Sequence, residues 1–167
     1  MALTAKVGEI ASPIAWSPDS TQLAISGGGE GNQQVIILDA ASGEMIMKLE
    51  TSGWIESLAW SHSGRRLATA GGGWAEVWEI PSGRQIFKIS GEGVHSWGIQ
   101  QVALSPDGSI LATAAGEVVL WEIDPGKQIS ILIGLNDGVS SMAFNSEGTR
   151  LAARSDDGVV MIWELNK

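Results

Sequence analysis

A short pattern recurs four times along these 167 residues, and no other feature narrows the possible folds as far. PIAWSPDSTQLAIS begins at Pro13, SLAWSHSGRRLATA at Ser57, QVALSPDGSILATA at Gln101 and SMAFNSEGTRLAAR at Ser141, in steps of 44, 44 and 40 residues. Self-similarity at such a spacing means one supersecondary unit tiled along the chain, each copy burying its apolar face on its neighbours. The third copy, Ile99 to Gly126, displays the unit most plainly. Val102-Ala103-Leu104 runs into Ser105-Pro106-Asp107-Gly108, where proline sets φ for a turn and glycine supplies a positive φ. Ile110 to Ala114 makes a second strand, broken at Gly116, and Val118 to Ile123 a third, closed by Asp124-Pro125-Gly126.

Each copy is followed by a strand rich in β-branched residues: VIILDAASG from Val35, EVWEIPSG from Glu76, VVLWEIDPG from Val118 and VVMIWELNK from Val159. A further strand follows three of them, as MIMKL from Met45, QIFKI from Gln85 and QISILI from Gln128. The period therefore holds four strands and no helix, with turn signals every 8 to 12 residues. The 22 glycines are too many for a helical protein and suit tight turns. Three of the third strands carry Trp then Glu (Trp78-Glu79, Trp121-Glu122, Trp163-Glu164), and the first carries Leu38-Asp39.

Four strands in a period near 40, with a Trp-acid pair, resemble the WD40 repeat, and the resemblance covers essentially the whole chain. It implies an all-β fold: a β-propeller of four-stranded antiparallel blades around a channel, four blades per chain. The repeats would span about 8–49, 50–89, 90–133 and 134–167. In that family a Gly-His pair precedes the first strand and an Asp precedes the third, joining a network with Ser or Thr and the Trp. Here His95 takes the His position of the third repeat, after Val94 in place of Gly, and Asp157 takes the Asp position of the fourth. No repeat carries both. The expectation is that apolar packing and backbone hydrogen bonds replace the buried polar network.

The fourth repeat stops after its third strand, at Trp163-Glu164-Leu165-Asn166-Lys167, while Leu3-Thr4-Ala5-Lys6-Val7 is an alternating strand ahead of the first. The resemblance implies closure by overlap, with strand 3–7 completing the last blade. Four blades closing within one chain demand about 90° between neighbours, whereas seven, the usual family number, need about 51° and eight about 45°. Two chains supply eight blades, each N-terminal strand completing the partner's last blade, so that no edge remains. The expectation is an eight-bladed homodimer. Closure within one chain, and a longer chain of which this is half, are the alternatives.

Composition removes several function classes. A net charge of −9 argues against nucleic acid and against anionic membranes, both of which need clustered Lys and Arg. The absence of cysteine removes disulfides, thiolate catalysis and Cys-based zinc sites. No apolar run reaches the roughly 20 residues of a membrane span, and MALTAKVGEIASP lacks a signal-peptide core, so the cytoplasm is expected.

Of the eight tryptophans, Trp78, Trp121 and Trp163 sit at the repeat's core position, and Trp16 and Trp60 at equivalent first-strand places. All five are expected to pack inside. Trp54 and Trp97 lie in the connections before the first strands of repeats two and three, and Trp74 follows Gly71-Gly72-Gly73. In the family both loop types open on one face of the disc, commonly a protein-binding face. Three aromatics unexplained by the core pattern suit binding anchors, with His95 beside them. Two distant histidines and no cysteine predict no metal site, and no cofactor is expected. SGGGEGNQQ leads into a strand and lacks a following Gly-Lys-Ser/Thr, so it reads as a long hairpin loop. No nucleophile, base and orienter assemble at motif strength. The reading is a non-enzymatic scaffold that binds another protein through this Trp-bearing loop face. A module binding a small ligand or glycan through the same tryptophans is the alternative.

Overall fold

The computed structural model describes residues 13–27, 33–90, 98–135 and 137–165, and all of its regular structure is β. Fifteen strands run β1 (Ile14–Trp16), β2 (Gln22–Gly27), β3 (Gln34–Asp39), β4 (Met45–Glu50), β5 (Ser57–Trp60), β6 (Arg66–Gly71), β7 (Trp74–Glu79) and β8 (Arg84–Ser90). They continue as β9 (Gln101–Leu104), β10 (Ile110–Ala114), β11 (Val118–Glu122), β12 (Lys127–Leu132), β13 (Val139–Phe144), β14 (Arg150–Ser155) and β15 (Val160–Glu164). Each repeat is its own antiparallel sheet in sequence order. Blades 1, 2 and 3 have four strands, and blade 4 has three among the described residues. The strand expected at 3–7 lies outside the described residues.

The turn between the first two strands is built the same way in every blade. Ser17 accepts from the Gln22 N–H at 2.9 Å and donates to Asp19 at 2.6 Å. Ser105 repeats this with Ile110 and Asp107, at 2.9 and 2.6 Å. Ser61 accepts from the Arg66 N–H at 3.0 Å, and Asn145 from the Arg150 N–H at 2.8 Å. A side-chain oxygen, from a buried serine in blades 1 to 3 and a half-buried asparagine in blade 4, thus satisfies a hairpin N–H that the turn would orphan. The fourth strands carry a β-bulge at one equivalent place, opposite the steps Ile37–Leu38, Val77–Trp78 and Leu120–Trp121 of the third strands. Such bulges add local twist.

The first strands lie side by side in the order β1, β5, β9, β13, and three apolar cores fill the gaps between successive blades. Ala24, Val35, Ile37 and Leu49 of blade 1 meet Leu67 and Trp78 of blade 2. Ala68, Ala70, Val77 and Phe87 of blade 2 meet Leu111 and Trp121 of blade 3. Ala112, Val118 and Leu120 of blade 3 meet Leu151, Ala153 and Trp163 of blade 4. Strand alternation explains this two-sided burial: odd and even residues of one strand serve two different joints.

Two sequence expectations change here. The polar network is partly kept, because Trp78 Nε1 donates to Thr69 Oγ1 at 3.3 Å and Trp121 Nε1 to Thr113 Oγ1 at 2.9 Å. Those threonines fill buried positions where an unpaired indole N–H would be costly. Blade 4 has Ala153 at that place, and Trp163 Nε1 donates to the Ile133 carbonyl at 3.1 Å instead. Asp157 joins no such network; it is an exposed turn residue accepting from the Ser155 hydroxyl and the Val159 N–H. Trp16, expected in the core, is 59% exposed. Its counterpart Trp60 leans on the preceding blade, donating from Nε1 to the Ala15 carbonyl at 3.2 Å, whereas Trp16 belongs to the blade at the open end of the row.

Candidate binding face

Trp54 and Trp74 come together where the connection between blades 1 and 2 crosses the β6–β7 hairpin. Glycine makes the crossing possible. A Cβ on Gly71 (φ 145°) would stand 2.0 Å from the Trp54 carbonyl oxygen, and one on Gly72 3.1 Å from the Trp54 amide nitrogen. A Cβ on Gly53 would lie 3.5 Å from Trp74 Cδ1. No L side chain fits at Gly71, so Gly71 and Gly72 serve the close approach of the two backbones. The Glu56 N–H donates to the Ala70 carbonyl at 2.7 Å and pins the connection to β6.

Trp54 is 52% exposed, while Trp74 is half-buried with Lys88 Nζ 4.5 Å from its ring centroid. That ammonium sits over the ring's electron-rich face, a cation–π contact. Beneath lies Glu76, only 2% exposed, on β7. Its carboxylate accepts from Ser52 Oγ at 2.5 Å and Gln85 Nε2 at 3.0 Å, with Lys88 Nζ 3.9 Å away. A buried carboxylate persists only with such partners. It fastens the Trp54 connection from below, and sequence reasoning missed it. The signal was present: Ile36, Val119 and Met161 hold the equivalent positions, so Glu76 is an acid at an apolar register position.

Trp97 and His95, the other two expected site residues, lie outside the described residues. Gly98, which follows Trp97, is described, and a Cβ there would stand 3.1 Å from Gly73 Cα. The second interblade connection thus returns to the same hairpin. Among the described residues no group of three His, Cys, Asp or Glu is placed to hold a metal ion, and none forms a long apolar helix.

At the opposite end of the first strands, Trp16, Trp60, Leu104, Phe144, Pro18 and Pro106 line an open cavity of about 330 Å³. All four blades contribute to it, so the four first strands face one common opening.

Four-stranded antiparallel blades stacked through apolar joints around an axis define a β-propeller chain. It carries WD40 repeats: the family model "WD domain, G-beta repeat" matches residues 43–79 and 126–164. Both matches start one strand before a blade and end at a Trp-Glu pair, the stagger on which the closure argument rests. The chain is 31% identical over 117 residues to the B-type cell cycle switch protein ccs52B of Medicago truncatula, covering 67% of this chain and 24% of that protein. It is 30% identical over 122 residues to the anaphase-promoting complex subunit cdh1 of Dictyostelium discoideum, covering 70% and 16%. The chain thus spans about a quarter of these curated relatives, or less. The β-propeller domain of Cps50 (Swd1) from Myceliophteria_thermophila superposes with a TM-score of 0.77 at 20% identity, over 90% of this chain and 50% of that one.

Proposed function

We propose that this chain is a non-enzymatic scaffold whose Trp54–Trp74 face binds another protein. The carrying observation is the exposed Trp54, held on a frame that glycine contacts and the Glu76 carboxylate fix beneath it. A large aromatic with little conformational freedom left to lose is what a binding anchor requires. Trp97 and His95 belong to the proposed surface by their place in the neighbouring connection. One of these relatives is named as a subunit of the anaphase-promoting complex, and what extends to this chain is association with a protein partner, not that partner's identity.

The functional unit in this reading is an eight-bladed ring of two copies, each N-terminal strand 3–7 adding to the partner's β15. Two observations support it: β15 pairs on one side only among the described residues, and the chain matches half of a solved propeller.

The test is capture from an extract of the protein's own source by the chain and by its Trp54→Ala/Trp74→Ala variant. A defined partner retained by the first and lost by a folded second is the expected result. Equal capture by both refutes the proposed face, and a fluorescence response to sugars with no protein capture favours the glycan alternative.

A further inference from the structure

The three joints inside the chain repeat one contact scheme, and the two outermost blades hold its unmatched halves. We infer that the first-hairpin turn of blade 4 in one copy seats on the first-hairpin turn of blade 1 in a second copy. This rests on the two-copy ring proposed above and specifies how its joint is made.

The fourth residue of each turn packs on the preceding blade's turn. A Cβ on Gly64 would meet Pro18 at 3.7 Å, one on Gly148 would meet Pro106 at 3.1 Å, and one on Gly108 would meet Ser61 at 3.2 Å. In blade 1 this position is Ser20, a non-glycine at φ 61° that is exposed. The slot it would enter is on blade 4, where Ser146 replaces the proline of Pro18 and Pro106. The added Cβ on one side is matched by a ring removed from the other. Close packing makes such paired size changes the expected trace of a contact.

Hydrogen bonding extends the match. The His62 N–H donates to the Pro106 carbonyl of the next blade at 3.2 Å. Pro18 and Pro106 have no N–H to do the same, but Ser146 has one, and the next blade in the ring offers the Pro18 carbonyl. Trp60 Nε1 donates back to Ala15 of the preceding blade. Trp16 is the one other tryptophan at that position, and the ring places the carbonyl of Ala143, an exposed residue, ahead of it. The sheet faces agree too: Val160 and Ile162 stand where Val35 and Ile37, or Val118 and Leu120, are covered by a following blade.

The occupant is a second copy because one chain carries both halves of the joint and fills half of a solved propeller. The chain has no native cysteine, so the Ser20→Cys/Ser146→Cys variant reads the joint cleanly. Oxidation should give a covalent dimer, absent from either single variant. Separately, Ser146→Pro should raise the dimer dissociation constant about tenfold or more by overpacking. Adding Ser20→Gly should recover the part of that loss due to overpacking, but not the part due to the missing Ser146 N–H. A disulfide formed within one chain overturns the joint. A dimer that neither cross-links nor responds to Ser146→Pro overturns the joint and leaves the two-copy ring standing. A protein monomeric at all concentrations overturns both.

Discussion

Val118 in blade 3 is 1% exposed and its counterpart Val160 in blade 4 is 62% exposed, although both occupy the start of a third strand in the same repeat. Leu120 and Ile162 differ in the same way, at 4% and 63%. The residues are equivalent in chemistry and register; only the neighbour differs. Blade 3 has a blade against each face, whereas among the described residues blade 4 has one against its Leu151 side alone. Burial in a propeller is thus a property of the joint, not of the strand. Leaving a Val or Ile side chain in water forgoes about 1.5–3 kcal/mol, so two such residues on one face are a substantial incentive to association.

The largest expected effect breaks the comparison directly. Leu120→Ala should destabilise the fold by about 2–5 kcal/mol at any protein concentration. Ile162→Ala should cost little in dilute solution and approach the Leu120→Ala value once the second copy is bound. Chemical denaturation of both variants across a hundredfold concentration range separates the two. A second test concerns a position that is Glu76 in blade 2, Val119 in blade 3 and Met161 in blade 4. Glu76→Ala strands Ser52 and Gln85 and should cost about 2 kcal/mol, with Trp54 released from its frame. Loss of partner capture alongside that destabilisation is the expected outcome.

Smaller in effect is Thr113→Val, which removes the acceptor for the Trp121 indole and should cost about 1 kcal/mol. Ala153→Thr in blade 4 should not return the same amount, because Trp163 already donates to Ile133. The smallest effect is acid sensitivity. The Ser17 hydroxyl, then the Thr21 N–H, hold Asp19 below its ordinary 3.8, as the Ser42 N–H and hydroxyl hold Asp39. The Ser155 hydroxyl, then the Val159 N–H, act likewise on Asp157. Lowered folded values mean a contribution complete above the unfolded value and lost as pH falls through the folded one. Urea midpoints should therefore decline slightly below pH 3.8, and less steeply in Asp157→Asn.

Most of the fold was legible because it depends on short-range pattern. Ser-Pro-Asp turns, period-2 alternation and glycine breaks are local, and each expected strand in the described residues is present. Trp78 and Trp121 were legible as core for the same reason. Trp16 was not: its position equals that of Trp60, and only the row of blades reveals that one of them lacks a predecessor. The Thr69–Trp78 and Thr113–Trp121 pairs escaped because neither repeat carries the family's Asp or a complete Gly-His pair, so nothing local marked the Thr–Trp contact. At the proposed binding face the tryptophans stood out, but Glu76 beneath them is a side-chain contact across 24 residues of sequence, which no local pattern encodes.

The two-copy ring is tested most directly by mass in solution. Sedimentation equilibrium over a range of concentrations should return a species at twice the chain mass of 17.5 kDa, dissociating without unfolding on dilution. A single species at 17.5 kDa throughout would contradict it.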